Sequence, residues 1–156
     1  MGVGGAGTAS AMVPRRLTSY QWWLAMAEAA DTHWHEILVV EDEADVREAI
    51  SNLLYYRAFT VKSAPDGRQA IAQLQDGYRP CLILLDLSMP GMDGAAFRHE
   101  QQATAECADI PVVIVSGHDD GEDIATTLGA RAFLRKPVRI TTLLDALDRH
   151  CPHYER

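Results

Sequence analysis

Several features are scarce in this sequence of 156 residues, and each scarcity excludes a class of protein. No stretch approaches the roughly 18 consecutive apolar residues of a membrane helix, so we expect no membrane partner. Lysine and arginine number 14 against 22 acidic residues, and this net charge of -8 argues against nucleic-acid binding. The three cysteines are widely spaced and form no Cys-x-x-Cys pair, so we expect reduced thiols and a cytoplasmic protein.

The N-terminal part of the chain differs in composition from the rest. Residues 1–17 are rich in glycine and alanine and offer little apolar surface to bury, which predicts a disordered leader. Residues 18–35 carry an apolar stripe that includes Trp22 and Trp23 and predict a helical extension. This extension either packs on the main domain or binds a partner. Residues 152–156 are interpreted as a short tail.

Between residues 36 and 151, short apolar runs alternate five times with amphipathic helical patterns. The central runs lack polar alternation, which is typical of strands that are buried on both faces of a parallel sheet. Because parallel strands need crossover helices, the sequence predicts a doubly wound α/β domain. The apolar runs lie at 37–40, 59–64, 81–86, 110–116 and 132–137. The helical patterns lie at 44–57, 66–77, 94–106, 121–130 and 140–151.

Polar residues follow these runs at the points where the strands should end. Glu41 and Asp42 follow the first run, Asp86 the third, Ser116 the fourth, and Lys136 lies at the end of the fifth. Functional groups collect at the carboxyl ends of parallel strands, so we expect these side chains to meet. Three clustered carboxylates repel one another, and Lys136 offsets one charge. Oxygen ligands with this excess of negative charge predict a Mg²⁺ site rather than a zinc site.

In the stretch LILLDLSMPGMDG, an apolar run ends directly at Asp86 and a predicted turn follows. The buried strand fixes the position of the carboxylate, and the turn leaves it open to ligands. The same loop can direct the backbone carbonyl of Ser88 towards the metal. A carboxylate beside Mg²⁺ and an ammonium group is equipped to attack phosphorus, and the product would be an aspartyl phosphate.

Four motifs occur in order along the chain, namely ILVVEDE, LILLDLSMPGMDG, PVVIVSG and AFLRKP. Together they resemble the receiver domain of bacterial two-component response regulators, over roughly residues 36–151. The resemblance implies a flavodoxin-like fold with five parallel strands in the order 2-1-3-4-5 and helices on both faces. It also implies a phospho-accepting signalling module rather than an enzyme, with a histidine kinase or a phosphotransfer protein as the donor.

The resemblance implies a role for each acidic residue. Asp86 would accept the phosphoryl group, and it would hold Mg²⁺ together with Glu41, Asp42 and the backbone carbonyl of Ser88. Asp42 would bind the metal directly and Glu41 through water. The acidic pair is Glu-Asp instead of Asp-Asp, which can alter metal affinity. Ser88 and His118 occupy variable positions beside the site, where the family tunes the lifetime of the phosphoryl group.

The remaining motif residues are implied to act in phosphoryl contact and switching. Ser116 would move to bond the phosphoryl group, and Lys136 would pair with it. Phe133 occupies the position of the switch aromatic but lacks the hydroxyl group of a tyrosine, and plain core packing is the alternative for it. The bond between Lys136 and Pro137 would be cis, since cis peptide bonds are almost confined to proline.

The chain ends just after the fifth helical pattern, from which we expect a stand-alone receiver without an output domain. Its output would come from protein contacts around the fourth helix and fifth strand, with an unidentified target or a homodimer partner. A phosphohydrolase of the haloacid-dehalogenase type is the enzymatic alternative, but it needs an acid two residues after Asp86, where Ser88 stands. A receiver that binds partners without phosphorylation is the second alternative.

Overall fold

The computed structural model describes residues 35–151, in which five strands alternate with five helices. The predicted leader, the tail and all of the predicted N-terminal extension except His35 lie outside the described residues. No helix among residues 35–151 is long and apolar enough to cross a membrane. The strands are β1 (Glu36–Val40), β2 (Thr60–Ala64), β3 (Leu82–Asp86), β4 (Val112–Ser116) and β5 (Ala132–Arg135). The helices are α1 (Ala44–Tyr56), α2 (Gly67–Gln75), α3 (Gly94–Ala103), α4 (Gly121–Thr127) and α5 (Ile140–His150).

The five strands form one parallel sheet in the order β2-β1-β3-β4-β5, which confirms the predicted doubly wound fold. Every residue of β3 and of β4 is buried. These two strands lie inside the sheet and are covered on both faces, which explains why their sequences show no polar alternation. The apolar run at 81–86 therefore carries Asp86 to the edge of the sheet along one of its central strands.

Two apolar layers cover the two faces of the sheet. Successive side chains of a strand point to opposite faces, so Leu38 and Val40 belong to one layer and Ile37 and Val39 to the other. The first layer is completed by α2, α3 and α4, and the second by α1 and α5. Burial of each large side chain in these layers contributes roughly 1.5–3 kcal/mol. This packing holds the strand ends in fixed positions relative to one another.

Local capping chemistry sets the bounds of the helices. The carboxylates of Asp66 and Asp93 accept hydrogen bonds from backbone N–H groups at the starts of α2 and α3. The pattern at 94–106 predicts three residues of helix more than α3 has, because the helix stops at Ala103. Thr104 takes an extended conformation with φ −100° and ψ 105°, and its hydroxyl group donates to the Glu100 carbonyl at 2.9 Å.

The expectation that all three cysteines are reduced thiols is wrong for two of them. Cys81 and Cys151 form a disulfide across 70 residues of sequence, with their Cα atoms 5.5 Å apart, and Cys107 is a buried free thiol. Cys81 comes just before β3 and Cys151 just after α5. The last helix runs back from the end of β5 and brings Cys151 to the starting edge of the sheet, a proximity that sequence spacing does not reveal.

Candidate functional site

The carboxyl ends of four strands bring the predicted site residues to one edge of the sheet. Glu41 follows β1, Asp86 and Ser116 end β3 and β4, and Lys136 follows β5. Glu41, Asp86 and Ser116 are only 2%, 4% and 0% exposed. Since a buried charge is costly unless it is paired, the two buried carboxylates require a compensating cation.

Lys136 supplies that positive charge between the two buried acids. Its Nζ atom lies 2.7 Å from Glu41 Oε2 and 3.5 Å from Asp86 Oδ1. The lysine side chain is 28% exposed, so its ammonium group is partly shielded from water. One ammonium group therefore joins the acid after β1 to the acid at the end of β3.

The protonation equilibria of this pair are shifted by burial and by charge. Burial raises the pKa of Glu41, and the charge of Asp86 adds to the rise, while the hydrogen bond from Lys136 works against it. For Lys136, burial alone would lower the pKa. The hydrogen bond to Glu41 and the negative charges of Asp86 and Glu41 outweigh burial, so the pKa of Lys136 is raised. The lysine therefore remains a cation at neutral pH.

Glu41, Asp42 and Asp86 form a cluster of carboxylates, which we call the acidic cluster. One oxygen atom from each residue lies within 4.8 Å of the other two, and Asp42 is exposed. Lys136 neutralises part of this charge and leaves an excess of two negative charges. Several carboxylate oxygen atoms that together carry excess negative charge are suited to bind Mg²⁺ rather than a softer metal. The donor set thus fits the predicted metal.

The loop after β3 packs tightly against the end of the strand. The Gly94 N–H donates to the Leu87 carbonyl at 3.2 Å. A Cβ atom at Gly94 would overlap with the carbonyl oxygen of Asp86 and lie 2.9 Å from Leu87 Cα. Glycine is required for this close approach, which helps to fix Asp86. Ser88 is exposed in the same loop, and metal binding by its backbone carbonyl stays a prediction.

Ser88 and His118, which the sequence assigns to two separate variable positions, contact each other. The Ser88 hydroxyl group hydrogen-bonds to His118 Nε2. The His118 backbone N–H in turn donates to Ser116 Oγ at 3.2 Å. A bridge of three residues therefore joins the loop after β3 to the loop after β4. Sequence spacing of 30 residues gives no sign of this contact.

Phe133 lies on the neighbouring strand and is half buried. Its ring packs against Gly121 at the start of α4, where a Cβ atom would lie 2.6 Å from the ring. The Arg135 guanidinium group lies 5.9 Å from the centroid of the same ring and pairs with Asp119 at 3.4 Å. The peptide bond between Lys136 and Pro137 is cis. Glycine at position 121 leaves room for the aromatic ring, a role that the sequence analysis did not identify.

Arg47 is a second residue that contributes to the site and that the sequence motifs do not single out. Its Nη1 atom donates to the carbonyl oxygens of Glu41 and Asp42, at 2.8 Å and 3.2 Å. The Glu43 N–H donates to Glu41 Oε1 at 3.2 Å. These bonds hold the acidic turn between β1 and α1. The available signal was the position of Arg47 in the first turn of the helix that follows the acids.

Both the matching family model and the similar curated proteins are response regulators. Residues 37–148 match the family model of the response regulator receiver domain. The chain is 33% identical over 110 residues to the response regulator MprA of Mycolicibacterium vanbaalenii, covering 69% of this chain and 46% of that protein. It is 38% identical over 103 residues to the phosphate regulon transcriptional regulatory protein PhoB of Escherichia coli, covering 65% of this chain and 44% of that protein. The chain thus spans slightly less than half the length of these relatives.

Solved structures show the same fold. The chemotaxis protein CheY4 of Vibrio cholerae aligns with a TM-score of 0.68 at 28% identity, covering 74% of this chain and 97% of that chain. A response regulator receiver protein from Pseudomonas putida aligns with a TM-score of 0.68 at 30% identity, covering 73% and 95%. The region matched by the family model contains the acidic cluster and all of the sheet except Glu36, the first residue of β1. The chain therefore belongs to the response regulator receiver domains, the signalling modules of two-component systems, in which phosphorylation and Mg²⁺ binding are general properties.

Proposed function

We propose that Asp86 of this chain accepts a phosphoryl group and that its phosphorylation switches protein contacts. The observation that carries the proposal is the position of Lys136, which contacts Asp86 at 3.5 Å while it is anchored to Glu41 at 2.7 Å. A nucleophilic carboxylate, a fixed cation and an acidic cluster are thereby combined at one edge of the sheet. Response regulators interact with histidine kinases or phosphotransfer proteins, and we propose such a protein in the cytoplasm as the donor.

The Asp86 carboxylate is the attacking group. It is held at the end of β3 by the packed loop, so little motion is needed to orient it. In the transfer, an Asp86 oxygen forms a bond to phosphorus while the bond from phosphorus to the donor histidine breaks. The Lys136 ammonium group lies where it can offset the negative charge that the incoming phosphoryl oxygens bring.

Glu41, Asp42, Asp86 and the Ser88 carbonyl would hold the Mg²⁺ ion. Bound there, the ion would supply positive charge that stabilises the phosphoryl oxygens during transfer. The raised pKa of Glu41, caused mainly by its burial, supports this assignment because a compensating cation favours the ionised form. Lys136 offsets part of the charge of the cluster, and the remaining excess is the reason to expect a divalent ion.

The switching step would pass through Ser116 and Phe133. Ser116 Oγ accepts a hydrogen bond from His118, and its own proton is available to donate to a phosphoryl oxygen on Asp86. Movement of Ser116 would change the loop that leads into α4, and Phe133 packs against Gly121, the first residue of that helix. We propose that the surface formed by α4 and β5 changes as a result and then binds a target protein or a second copy of the chain. Ser88 and His118 would tune the phosphoryl lifetime through their bridge.

Intact mass spectrometry after incubation with Mg²⁺ and a small phosphodonor tests the acceptor. We expect one added phosphoryl group on the wild-type chain, and none on Asp86→Asn or after addition of a chelator. Asp119→Asn is a matched control because Asp119 is an exposed acid outside the acidic cluster. Labelling of Asp86→Asn at the wild-type level would contradict the proposal. Absence of labelling on the wild type with both a small donor and a histidine kinase would favour a receiver that acts without phosphate.

A further inference from the structure

The disulfide between Cys81 and Cys151 lies at the opposite edge of the sheet from the acidic cluster. Cys81 comes before the first residue of β3, and Asp86 is its last residue. The Cys81 N–H donates to the Glu36 carbonyl at 2.8 Å, and the Cys151 N–H donates to the Leu147 carbonyl at 2.8 Å. The bond therefore ties the last turn of α5 to the start of a central strand. None of the residues assigned to phosphoryl transfer takes part in it.

The two sulfur atoms have different surroundings. Cys151 is 3% exposed, whereas Cys81 is half buried and therefore more accessible. The Nδ1 atom of His35 lies 3.8 Å from the Cys151 sulfur. A neighbouring imidazole favours the thiolate form of a cysteine, and a stabilised thiolate is a better leaving group in disulfide exchange. The Cys81 sulfur is thus placed for attack by a thiolate from solvent, and the Cys151 sulfur is placed to act as the leaving group.

We propose that Cys81, Cys151 and His35 form a reversible thiol–disulfide site that exchanges with small thiols and disulfides of the glutathione class. In the reducing direction, an external thiolate attacks the Cys81 sulfur, the bond between the two cysteines breaks, and its electron pair leaves on Cys151 beside His35. A second external thiolate then attacks the mixed disulfide and releases Cys81 and a small disulfide. Two external thiols are oxidised for each protein disulfide reduced.

The oxidising direction uses the same steps in reverse, with the small disulfide as the oxidant. Cys81 first forms the mixed disulfide, and the Cys151 thiolate beside His35 then displaces the small thiol from it. Disulfides in a reducing compartment are usually transient and regulatory rather than structural. The cytoplasmic location proposed above therefore favours a reversible bond, but the chemistry of the site does not depend on phosphorylation of Asp86.

Reduction has a defined structural consequence at the end of α5. The buried residues Leu143 and Leu147 still hold the helix on the sheet, but the last turn loses its covalent attachment. We expect the amide protons of that turn to exchange with solvent about tenfold faster after reduction, while those of β3 and β4 keep their rates. The redox state of the site would thereby change the order of one helix end without unfolding the sheet.

A glutathione titration of the full chain tests the proposal. The protein is equilibrated in mixtures that range from fully reduced to fully oxidised glutathione, with a metal chelator present, and free thiols are then trapped with a maleimide and counted by intact mass. We expect two thiols to disappear together in mixtures that contain both forms of glutathione. Cys107→Ser should give the same curve with one thiol fewer, because Cys107 is outside the site. A bond that stays closed in fully reduced glutathione, or two thiols that stay open in fully oxidised glutathione, would overturn reversibility.

Single variants test the assignment of the two sulfur atoms. In Cys151→Ser, we expect one glutathione to accumulate on Cys81. In Cys81→Ser, glutathione should react with the buried Cys151 at a rate at least about tenfold lower. His35→Gln, with both cysteines retained, should slow by about tenfold the step in which Cys151 displaces glutathione from Cys81 and closes the disulfide. Equal modification of the two single variants would overturn the order of attack, and an unchanged closure rate would remove His35 from the site. The wild-type titration decides reversibility even if a variant fails to fold.

Discussion

Replacement of Lys136 by methionine should expose the cost of the two buried acids that it contacts. At 2.7 Å and 3.5 Å, and with an effective dielectric constant near 20, the gross attractions of Lys136 to Glu41 and Asp86 are about 6 and 5 kcal/mol. Desolvation offsets most of this, and removal of one partner from a buried ion pair typically costs about 3–5 kcal/mol. Because the lysine is 28% exposed, we expect a loss of about 2–3 kcal/mol in the free energy of unfolding.

The loss should depend on pH in a direction set by the pKa shifts. The pKa of Lys136 is raised in the folded state by the two acids, so its contribution is present at neutral pH and disappears as the pH rises through that raised value. The pKa of Glu41 is raised by burial, so acid protonates it in the folded protein more readily than in the unfolded chain. Below pH 4.5 the folded protein therefore carries less uncompensated charge, and the penalty of Lys136→Met should shrink there.

Urea unfolding in the presence of a chelator, at pH 7 and near pH 4, measures this effect. Arg135→Met is the matched control at the adjacent residue, because the ion pair of Arg135 with Asp119 is exposed and should contribute little. Equal losses for Lys136→Met at the two pH values would refute the electrostatic argument. A loss at pH 7 no larger than that of Arg135→Met would refute it as well.

Two further changes test other parts of the fold. Gly94→Ala should lower the free energy of unfolding by about 2–3 kcal/mol, because the added Cβ atom would overlap with the Asp86 carbonyl. Gly117→Ala is the control, because the nearest atom to its Cβ position is 3.9 Å away. This second variant should be nearly neutral in the same urea assay. Reduction of the bond between Cys81 and Cys151, with its separation of 70 residues, should cost about 4 kcal/mol by the chain-entropy relation. A difference below about 1 kcal/mol between the oxidised and reduced proteins would show that the entropic account fails here.

The parts of the fold that the sequence predicts well are those set by local patterns. Buried strands such as β3 appear as apolar runs without alternation, and Gly77, with φ 96°, marks the end of the pattern that contains α2. Because strand ends in a parallel sheet point to one edge, the sequence also predicts that Glu41, Asp86 and Lys136 come together. The extra residues predicted for α3 show where a local pattern gives too little information, since the chain turns to an extended conformation at Thr104.

The features that the sequence does not predict depend on contacts between distant loops. The hydrogen bond of Ser88 with His118, the packing of Phe133 on Gly121 and the disulfide of Cys81 all join segments whose distance is set by the whole fold. No periodicity or spacing rule encodes such a distance. Residue type indicates that a side chain can bond, but the crossover geometry selects the partner.

The contact between Lys136 and Glu41 also bears on the order in which the protein acquires its site. The two residues are 95 positions apart, and their strands are separated in the sheet by β3 and β4. Bringing together residues so far apart in sequence costs more conformational entropy than closing a short loop, so we expect this contact to form late in folding. During synthesis, a chain that has emerged only as far as β4 already contains all three acids but lacks their cation. The acidic cluster therefore gains the cation that offsets part of its charge only when the last strand has joined the sheet.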